Sequence, residues 1–131
     1  MPQSLQFILI DDVASNNLIA RMNIRNVFPG SGVTEFTSAG EGYDYLLQQY
    51  SEPGTDEKVI LLMDIHMPVM DGWDFLAKFD QLNESIKSKV RVYLLSASIN
   101  RDDEDRAKAD KNVAGSLSKP ITKEVLNGLI F

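Results

Sequence analysis

The fold of this chain is decided by an apolar run that ends at a carboxylate, Val59-Ile60-Leu61-Leu62-Met63-Asp64. An uninterrupted aliphatic run of this length is typical of a strand that is buried on both faces of a sheet. Three other segments are predicted as strands that also lead into polar side chains: Leu5–Ile10 before Asp11 and Asp12, residues 90–95 before Ser96, and Val113–Ser118 before Lys119. We therefore predict four buried strands whose carboxyl ends carry acidic, hydroxyl and ammonium groups.

Helical patterns separate these strands along the chain. A first helix is predicted over residues 14–28, where Pro29-Gly30 stops it, and a short second strand follows over residues 33–37. Ser38 and Glu41 have the spacing of a capping box at the start of the next helix. The remaining segments are a polar loop over residues 51–58, an apolar helical stripe over 75–82, a charged helix over 100–110, and a short helix after Thr122. Five strand–helix repeats predict an α/β fold, a doubly wound parallel sheet with helices on both faces.

The composition limits the class of protein. The 131 residues suffice for one domain with a substantial core, and we expect a single domain over residues 1–131. The net charge of −6 argues against direct binding to nucleic acid or to an anionic membrane surface. The absence of cysteine excludes disulfides, thiolate catalysis and thiolate metal ligands. Because no membrane span or leader peptide is evident, we expect a cytoplasmic protein.

The polar residues at the strand ends should meet at one edge of the sheet. In parallel α/β sheets the carboxyl ends of the strands line a common crevice, where such folds place their chemistry. Asp11, Asp12 and Asp64 would supply the oxygen ligands that Mg²⁺ prefers. A cation would offset the repulsion between the carboxylates and leave one of them free to attack phosphorus as a nucleophile. Ser96 and Lys119 would add a hydroxyl donor and a positive charge beside the phosphoryl oxygens.

From about Leu5 onward, the chain resembles a bacterial response-regulator receiver domain of the chemotaxis-regulator type. The resemblance is carried by four elements in order: Asp11-Asp12, the segment Asp64-Ile65-His66-Met67-Pro68-Val69-Met70-Asp71-Gly72, Ser96-Ala97, and Lys119-Pro120. It implies a flavodoxin-like five-stranded sheet of order 2-1-3-4-5. It also implies a two-component phosphorelay, in which a sensor histidine kinase or a histidine phosphotransfer protein transfers a phosphoryl group to the chain in the presence of Mg²⁺.

The resemblance assigns the chemistry to three residues. Asp64 is implied to be the phosphoacceptor, and Lys119 and Ser96 are implied to contact its phosphoryl group. No enzyme activity is expected beyond phosphorylation of Asp64 and the later hydrolysis of the aspartyl phosphate. The chain would therefore act as a switch for an output protein, which the sequence does not identify.

The metal is implied to lie among Asp11, Asp12, Asp64 and the backbone oxygen of His66. A histidine side chain among carboxylates would favour a transition metal, so we expect the His66 imidazole to project from the loop and to be exposed. The resemblance also implies a cis bond in Lys119-Pro120.

One position departs from the family pattern. Such domains usually have Tyr or Phe three residues before the lysine, and here that residue is Ser116. The aromatic side chain normally moves inward together with the hydroxyl that Ser96 supplies. The usual link from the site to the neighbouring surface therefore has no aromatic member, whereas the chemistry at Asp64 should not depend on it.

Three other functions are open at this stage. An Mg²⁺-dependent phosphatase with an aspartyl nucleophile usually has a second aspartate two residues after the nucleophile and a cap domain, and neither is evident. A pseudo-receiver would bind partners without being phosphorylated, although the presence of all five site residues argues against it. A flavodoxin-like cofactor protein would need a Ser/Thr/Gly-rich phosphate loop after the first strand, which is not found. The sequence leaves open whether the chain acts alone or within a longer regulator, and which oligomeric state it adopts.

Overall fold

The structure is a computed structural model that describes residues 5–51, 57–97 and 100–129. Within these residues the strands are β1 (Leu5–Ile10), β2 (Gly32–Phe36), β3 (Lys58–Asp64), β4 (Val90–Ser96) and β5 (Val113–Ser118). The helices are α1 (Ala14–Val27), α2 (Ala39–Tyr50), α3 (Gly72–Asp80), α4 (Glu84–Lys87), α5 (Arg101–Ala109) and α6 (Lys123–Asn127). All neighbouring strands pair in parallel, in the order β2-β1-β3-β4-β5. This arrangement confirms the predicted flavodoxin-like sheet and its strand order.

The two faces of the sheet carry separate apolar cores, because alternate residues of a strand point to opposite faces. One core contains Ile8 of β1 with Leu46 of α2 and Phe75 of α3. The other core contains Phe7 of β1 with Ile24 of α1, and α6 also contributes to it. Each fully buried side chain of this size stabilises the fold by roughly 1.5–3 kcal/mol relative to an exposed one. The sheet is therefore a rigid base for the residues at its edges, and the prediction of helices on both faces is confirmed.

The observed boundaries differ from the predicted ones at a few places. α1 ends at Val27 rather than at residue 28, and β2 begins and ends one residue earlier than predicted. The short helix α4 was not predicted, because four residues are too few to display a helical period. Its Ile86 is buried, and the Asn83 side chain caps it by accepting from the Ile86 N–H at 3.3 Å. Of the predicted loop over residues 51–58, residues 52–56 lie outside the described part of the chain.

The predicted capping box at the start of α2 is only half formed. The Ser38 hydroxyl accepts a hydrogen bond from the backbone N–H of Glu41 at 3.2 Å, as expected of an N-cap. The same hydroxyl donates to the Glu41 carboxylate at 3.2 Å. In a full capping box the Glu41 carboxylate would accept from the Ser38 backbone N–H. Here it accepts from the Ser38 hydroxyl instead. Thr122 caps α6 as predicted, by accepting from the Val125 N–H at 3.2 Å.

None of the helices in the described ranges could span a membrane. The longest, α1, has 14 residues, whereas a span needs about 20 consecutive apolar residues, and no helix combines the required length and hydrophobicity.

Asp80, the last residue of α3, connects three segments at the amino-terminal end of the sheet. Its Oδ1 accepts from Asn112 Nδ2 at 3.0 Å and from Lys87 Nζ at 3.3 Å, and it lies 3.4 Å from Lys111 Nζ. The hydrogen bonds from Asn112 and Lys87 hold the pKa of the Asp80 carboxyl below its ordinary value of 3.8, at about 2. A carboxyl whose pKa is lowered by folding stabilises the folded state only while it is ionised.

We predict that Asp80→Asn destabilises the protein in a pH-dependent way. The contribution of the wild-type carboxylate is fully present above its unfolded-state pKa of 3.8 and is lost as the pH falls towards the folded-state value of about 2. The difference in urea midpoint between the wild type and Asp80→Asn should therefore be largest near neutral pH and shrink within this window. Asp44→Asn, which alters an exposed carboxylate of α2, is the control and should leave the midpoint almost unchanged. A difference that stays constant through the acid window would contradict the prediction.

Candidate functional site

The carboxyl edge of the sheet brings together four of the residues singled out in the sequence. Asp11 directly follows β1, Asp64 ends β3, Ser96 ends β4 and Lys119 directly follows β5. The Lys119 ammonium lies between two carboxylates, with its Nζ 3.1 Å from Asp11 Oδ2 and 3.1 Å from Asp64 Oδ2. Both carboxylates are buried, and the Lys119 side chain is only 14% exposed. The residues thus lie together as the strand pattern predicts, and their chemical roles stay predictions.

Three carboxylates at this edge form a candidate cation site. Oxygens of Asp11, Asp12 and Asp64 lie within 4.8 Å of one another, with Asp12 exposed and the other two buried. An all-oxygen donor set suits a hard divalent cation that keeps several water ligands, and the exposed side at Asp12 gives water access. Clustered carboxylates repel one another, and a cation bound among them would offset that repulsion. The residues present therefore fit a divalent cation.

Burial and charge act in opposite directions on the pKa values of the site. Burial raises the pKa of Asp64 above its ordinary value of 3.8, against the hydrogen bond and charge of Lys119, and the charge of Asp11 adds to the rise. Burial would by itself lower the pKa of Lys119, but its hydrogen bonds to the two carboxylates and their charges raise it above the ordinary 10.5. Lys119 is therefore an ammonium at neutral pH. One ammonium beside two buried carboxylates leaves a site in which further positive charge is stabilising.

Side chains of α1 hold Asp11 in place. Asn17, which is 3% exposed, donates through Nδ2 to the carbonyl oxygens of Asp11 at 3.2 Å and Phe36 at 3.1 Å. Asn16 Nδ2 donates to Asp11 Oδ2 at 3.2 Å, and the Val13 N–H donates to Asp11 Oδ1 at 2.9 Å. Asn17 was not predicted from the sequence. The sequence feature that could have indicated it is an amide side chain in the first turn of α1. This helix has neither a side-chain N-cap nor an acidic residue in that turn.

The loop from β3 to α3 shapes the surroundings of Asp64. The Gly72 N–H donates to the Ile65 carbonyl at 2.8 Å, and a Cβ on Gly72 would come within 3.0 Å of the Ile65 Cα. This close approach of two backbone segments favours glycine at this position. A full capping box then starts α3, because the Asp71 carboxylate accepts from the Asp74 N–H at 2.9 Å and the Asp74 carboxylate accepts from the Asp71 N–H at 3.1 Å. The loop was identified from the sequence, but this box was not.

Ser96 and Lys119 are joined through the backbone of neighbouring strands. The Lys119 N–H donates to the Ser96 carbonyl at 3.0 Å, which fixes the residue after β5 beside the end of β4. Ser96 is 2% exposed. The Lys119-Pro120 bond is cis, as the resemblance implied. Asn23 of α1 donates through Nδ2 to the Ile121 carbonyl at 2.8 Å, so this turn is also tied to the helix that holds Asp11.

His66 does not join the carboxylate cluster through its side chain. The imidazole is 65% exposed, and its Nε2 lies 3.1 Å from Oδ2 of Asp103 on α5. The His66 backbone N–H donates to Asp64 Oδ1 at 3.3 Å. The exposed imidazole agrees with the sequence-based expectation, while a metal-binding role for the backbone oxygen stays a prediction. The contact with Asp103 was not predicted, because it depends on how α5 packs against a loop far away in the sequence.

α5 is attached to the domain mainly by polar contacts. Ala107 is its buried residue, and the Arg106 guanidinium lies over the Trp73 ring of α3, 4.3 Å from the ring centroid. A groove of about 490 Å³ lies between α5 and β5, and Ser116 is among the residues that line it. Position 116, which is aromatic in the family pattern, is therefore occupied by a small residue beside open space.

Comparison with known proteins agrees with this geometry. Residues 7–131 match the family model described as response regulator receiver domain. The chain belongs to this receiver-domain family. No curated protein matches the chain in a direct sequence comparison.

Solved structures of other receiver-domain proteins share the fold. A two-component response regulator from Cytophaga hutchinsonii is 29% identical with a TM-score of 0.83, over 96% of this chain and 93% of that one. A response regulator receiver protein from Dyadobacter fermentans is 22% identical with a TM-score of 0.81, over 94% and 92% of the two chains. A two-component response regulator from Legionella pneumophila is 20% identical with a TM-score of 0.75, over 93% and 92%. At their low identity the last two are evidence of the fold alone.

We predict that Mg²⁺ stabilises this receiver domain and that Asp12→Ala removes most of the effect. A ligand that binds only the folded state raises the free energy of unfolding by about 1.4 kcal/mol at ten times its dissociation constant. Thermal melts over a MgCl₂ series at constant ionic strength measure this. Without metal, Asp12→Ala should melt no lower than the wild type, because the substitution relieves carboxylate repulsion.

The matched control for this experiment is Asp44→Ala, which removes an exposed carboxylate from α2. It should respond to Mg²⁺ as the wild type does. An equal Mg²⁺ response of the wild type and Asp12→Ala would exclude Asp12 as part of the cation site.

Proposed function

We propose that this receiver domain accepts a phosphoryl group on Asp64 from a sensor histidine kinase or a histidine phosphotransfer protein, with Mg²⁺ as cofactor, and thereby switches binding to an output protein. The observation that carries the proposal is the Lys119 ammonium, held 3.1 Å from both Asp11 and Asp64 beside the three-carboxylate cluster. It supports the proposal because a phosphoryl group on Asp64 would lie next to a fixed positive charge and a candidate cation site.

In the proposed reaction a carboxylate oxygen of Asp64 attacks the phosphorus of the donor phosphohistidine. The new O–P bond forms as the N–P bond breaks, and the electron pair of that bond leaves with the donor imidazole, which takes up a proton. Lys119 moves its contact from the carboxylate to a phosphoryl oxygen, and the Ser96 hydroxyl donates to another. Mg²⁺ held by Asp11, Asp12 and Asp64 would supply positive charge against the phosphoryl oxygens.

Two alternatives differ in what happens at Asp64. A pseudo-receiver would bind its partners without forming an aspartyl phosphate, and an aspartyl-nucleophile phosphatase would turn over small phosphate esters. Membership of the receiver family and the paired contacts of Lys119 favour the phosphoacceptor. The domain would then catalyse only the phosphorylation and dephosphorylation of its own Asp64.

An exposed apolar patch on α1 supports docking of a protein phosphodonor beside the site. Leu18, Ile19 and Met22 are 43%, 41% and 58% exposed, and Val13, which directly follows Asp12, is 47% exposed. Exposed apolar side chains that are grouped in this way mark interaction surfaces. A donor that docks on α1 would bring its phosphohistidine to the acidic edge.

We predict that acetyl phosphate with Mg²⁺ raises the intact mass of the wild type by one phosphoryl group and leaves Asp64→Asn unchanged. Lys119→Ala should slow the reaction, because a lost charge-assisted contact of about 1.5–3 kcal/mol corresponds to a ten- to hundredfold lower rate. Asp44→Asn is the control and should react at the wild-type rate.

Three results of this experiment would count against the proposal. A full mass gain in Asp64→Asn would exclude Asp64 as the acceptor. No mass gain in the wild type would favour the pseudo-receiver. Multiple turnover of a small phosphate ester such as p-nitrophenyl phosphate would favour the phosphatase.

Two contacts link the loop after Asp64 and the start of α3 to α5, and they would transmit phosphorylation in the absence of an aromatic residue at position 116. The Asp64 carboxylate accepts from the His66 N–H, and the His66 imidazole contacts Asp103 on α5. The second contact joins α3 to α5, because the Arg106 guanidinium of α5 lies over the ring of Trp73 at the start of α3. A phosphoryl group on Asp64 alters the acceptor of the His66 N–H, so the loop and both contacts with α5 shift together.

We predict that His66→Ala uncouples α5 from the site. In amide NMR spectra, the phosphoryl mimic beryllofluoride with Mg²⁺ should shift signals both around Asp11 and Asp64 and along α5 in the wild type. In His66→Ala the α5 shifts should become smaller while those around the site persist, because a hydrogen bond of about 1 kcal/mol biases a two-state equilibrium about fivefold. Lys108→Ala, on the exposed face of α5, is the control and should behave like the wild type. Unchanged α5 shifts in His66→Ala would mean that transmission takes another route.

A further inference from the structure

A cleft at the amino-terminal end of the sheet is lined by positive charge. It has a volume of about 380 Å³ and lies between the first residues of β3, β4 and β5, at the opposite end from the carboxylates. Of the described residues that line it, none is acidic and five are cationic: Lys58, Lys87, Lys89, Arg91 and Lys111. The whole chain has 13 lysines and arginines and a net charge of −6. More than a third of its cations therefore meet in one cleft of an acidic protein.

Three separate parts of the chain bring these cations together. Lys58 begins β3, and Lys87, Lys89 and Arg91 run from the end of α4 into β4. Lys111 lies in the turn between α5 and β5. Because each strand enters the sheet from the same end, its preceding turn delivers its cations to the same edge.

Neighbouring groups hold several of these ammonium groups in position. Asp80, which is not among the lining residues, contacts Lys87 Nζ at 3.3 Å and Lys111 Nζ at 3.4 Å. The Lys87 side chain is only 14% exposed. Lys89 Nζ donates to the Tyr50 carbonyl at 3.2 Å. Cations that are already fixed lose less conformational entropy when they bind a ligand.

We propose that this cleft binds a small multivalent anion of the phosphate class. Lysine ammoniums bind phosphate as point charges, and an arginine adds a forked donor that matches two phosphate oxygens. Ser88 and Asn112 add polar groups to the lining. The volume lies in the range of small-molecule sites. A long polyanion such as nucleic acid is less suitable, because the rest of the surface of this acidic protein would repel it.

The proposed anion site does not depend on the phosphoacceptor function. β3 runs from Lys58 at the cleft to Asp64 at the acidic edge, and a strand of this length separates its two ends by roughly 20 Å. Binding at the cleft therefore needs neither Asp64 nor a divalent cation, and it can be measured in EDTA, which excludes metal-dependent binding at the acidic edge.

The test uses inorganic triphosphate as the probe, in EDTA and about 150 mM salt so that weak surface attraction is screened. Amide NMR titration of the wild type should give saturable shifts centred on residues 58, 87–91 and 111–113. Lys58→Gln with Lys111→Gln should weaken binding by at least about tenfold, because two charged contacts with the anion are lost. Lys58→Arg with Lys111→Arg should keep the wild-type affinity, which separates lost charge from a folding defect.

The control is the double variant Arg25→Gln and Lys123→Gln, which removes two exposed cations outside the cleft. Its affinity should change by less than about twofold, because distant charges are screened. An equal loss in the control and in the cleft variant would show attraction without a site and overturn the proposal. Hexaglutamate or a short single-stranded oligonucleotide that binds the cleft more tightly than triphosphate would overturn the assignment to small phosphates.

Discussion

The ammonium of Lys119 between the carboxylates of Asp11 and Asp64 is the interaction on which the rest of the structure depends. It joins the ends of β1 and β3 to the residue after β5, so these three strands end at the same edge of the sheet. Burying two carboxylates with a single cation costs free energy. That cost is offset by the surrounding fold, in which the apolar cores on both faces of the sheet hold the strand ends together.

The elements around this interaction differ in how firmly they are held. The Asn17 amide ties the end of β1 to the end of β2, and Gly72 allows a close backbone approach in the loop after β3. α5, in contrast, contributes Ala107 to the core and otherwise relies on polar contacts beside an open groove. An element with few buried apolar contacts can change position at low energetic cost. A rigid acidic edge beside a lightly attached helix would suit the proposed switch, in which phosphorylation at the edge changes the position of the helix.

The two ends of the sheet carry opposite charge. Carboxylates follow the ends of β1 and β3, and cations line the cleft at the starts of β3, β4 and β5. Parallel pairing produces this separation, because all strands begin at one edge and end at the other. The site at the acidic edge suits a cation and a phosphoryl group, whereas the cleft suits a free anion. The two proposed ligands would therefore not compete for the same groups.

The residue patterns of the sequence determined the parallel sheet and the meeting of Asp11, Asp64, Ser96 and Lys119, and the resemblance to receiver domains supplied the strand order. Burial of a strand is recorded in a local run of apolar residues, and the polar residue that ends the run locates the edge. The tertiary structure alone decided the roles of side chains that meet across elements. Asn17 on Phe36, His66 on Asp103 and the cationic cleft join segments far apart in the chain. Such contacts depend on the packing distance and angle of whole elements, which no local pattern of residues encodes.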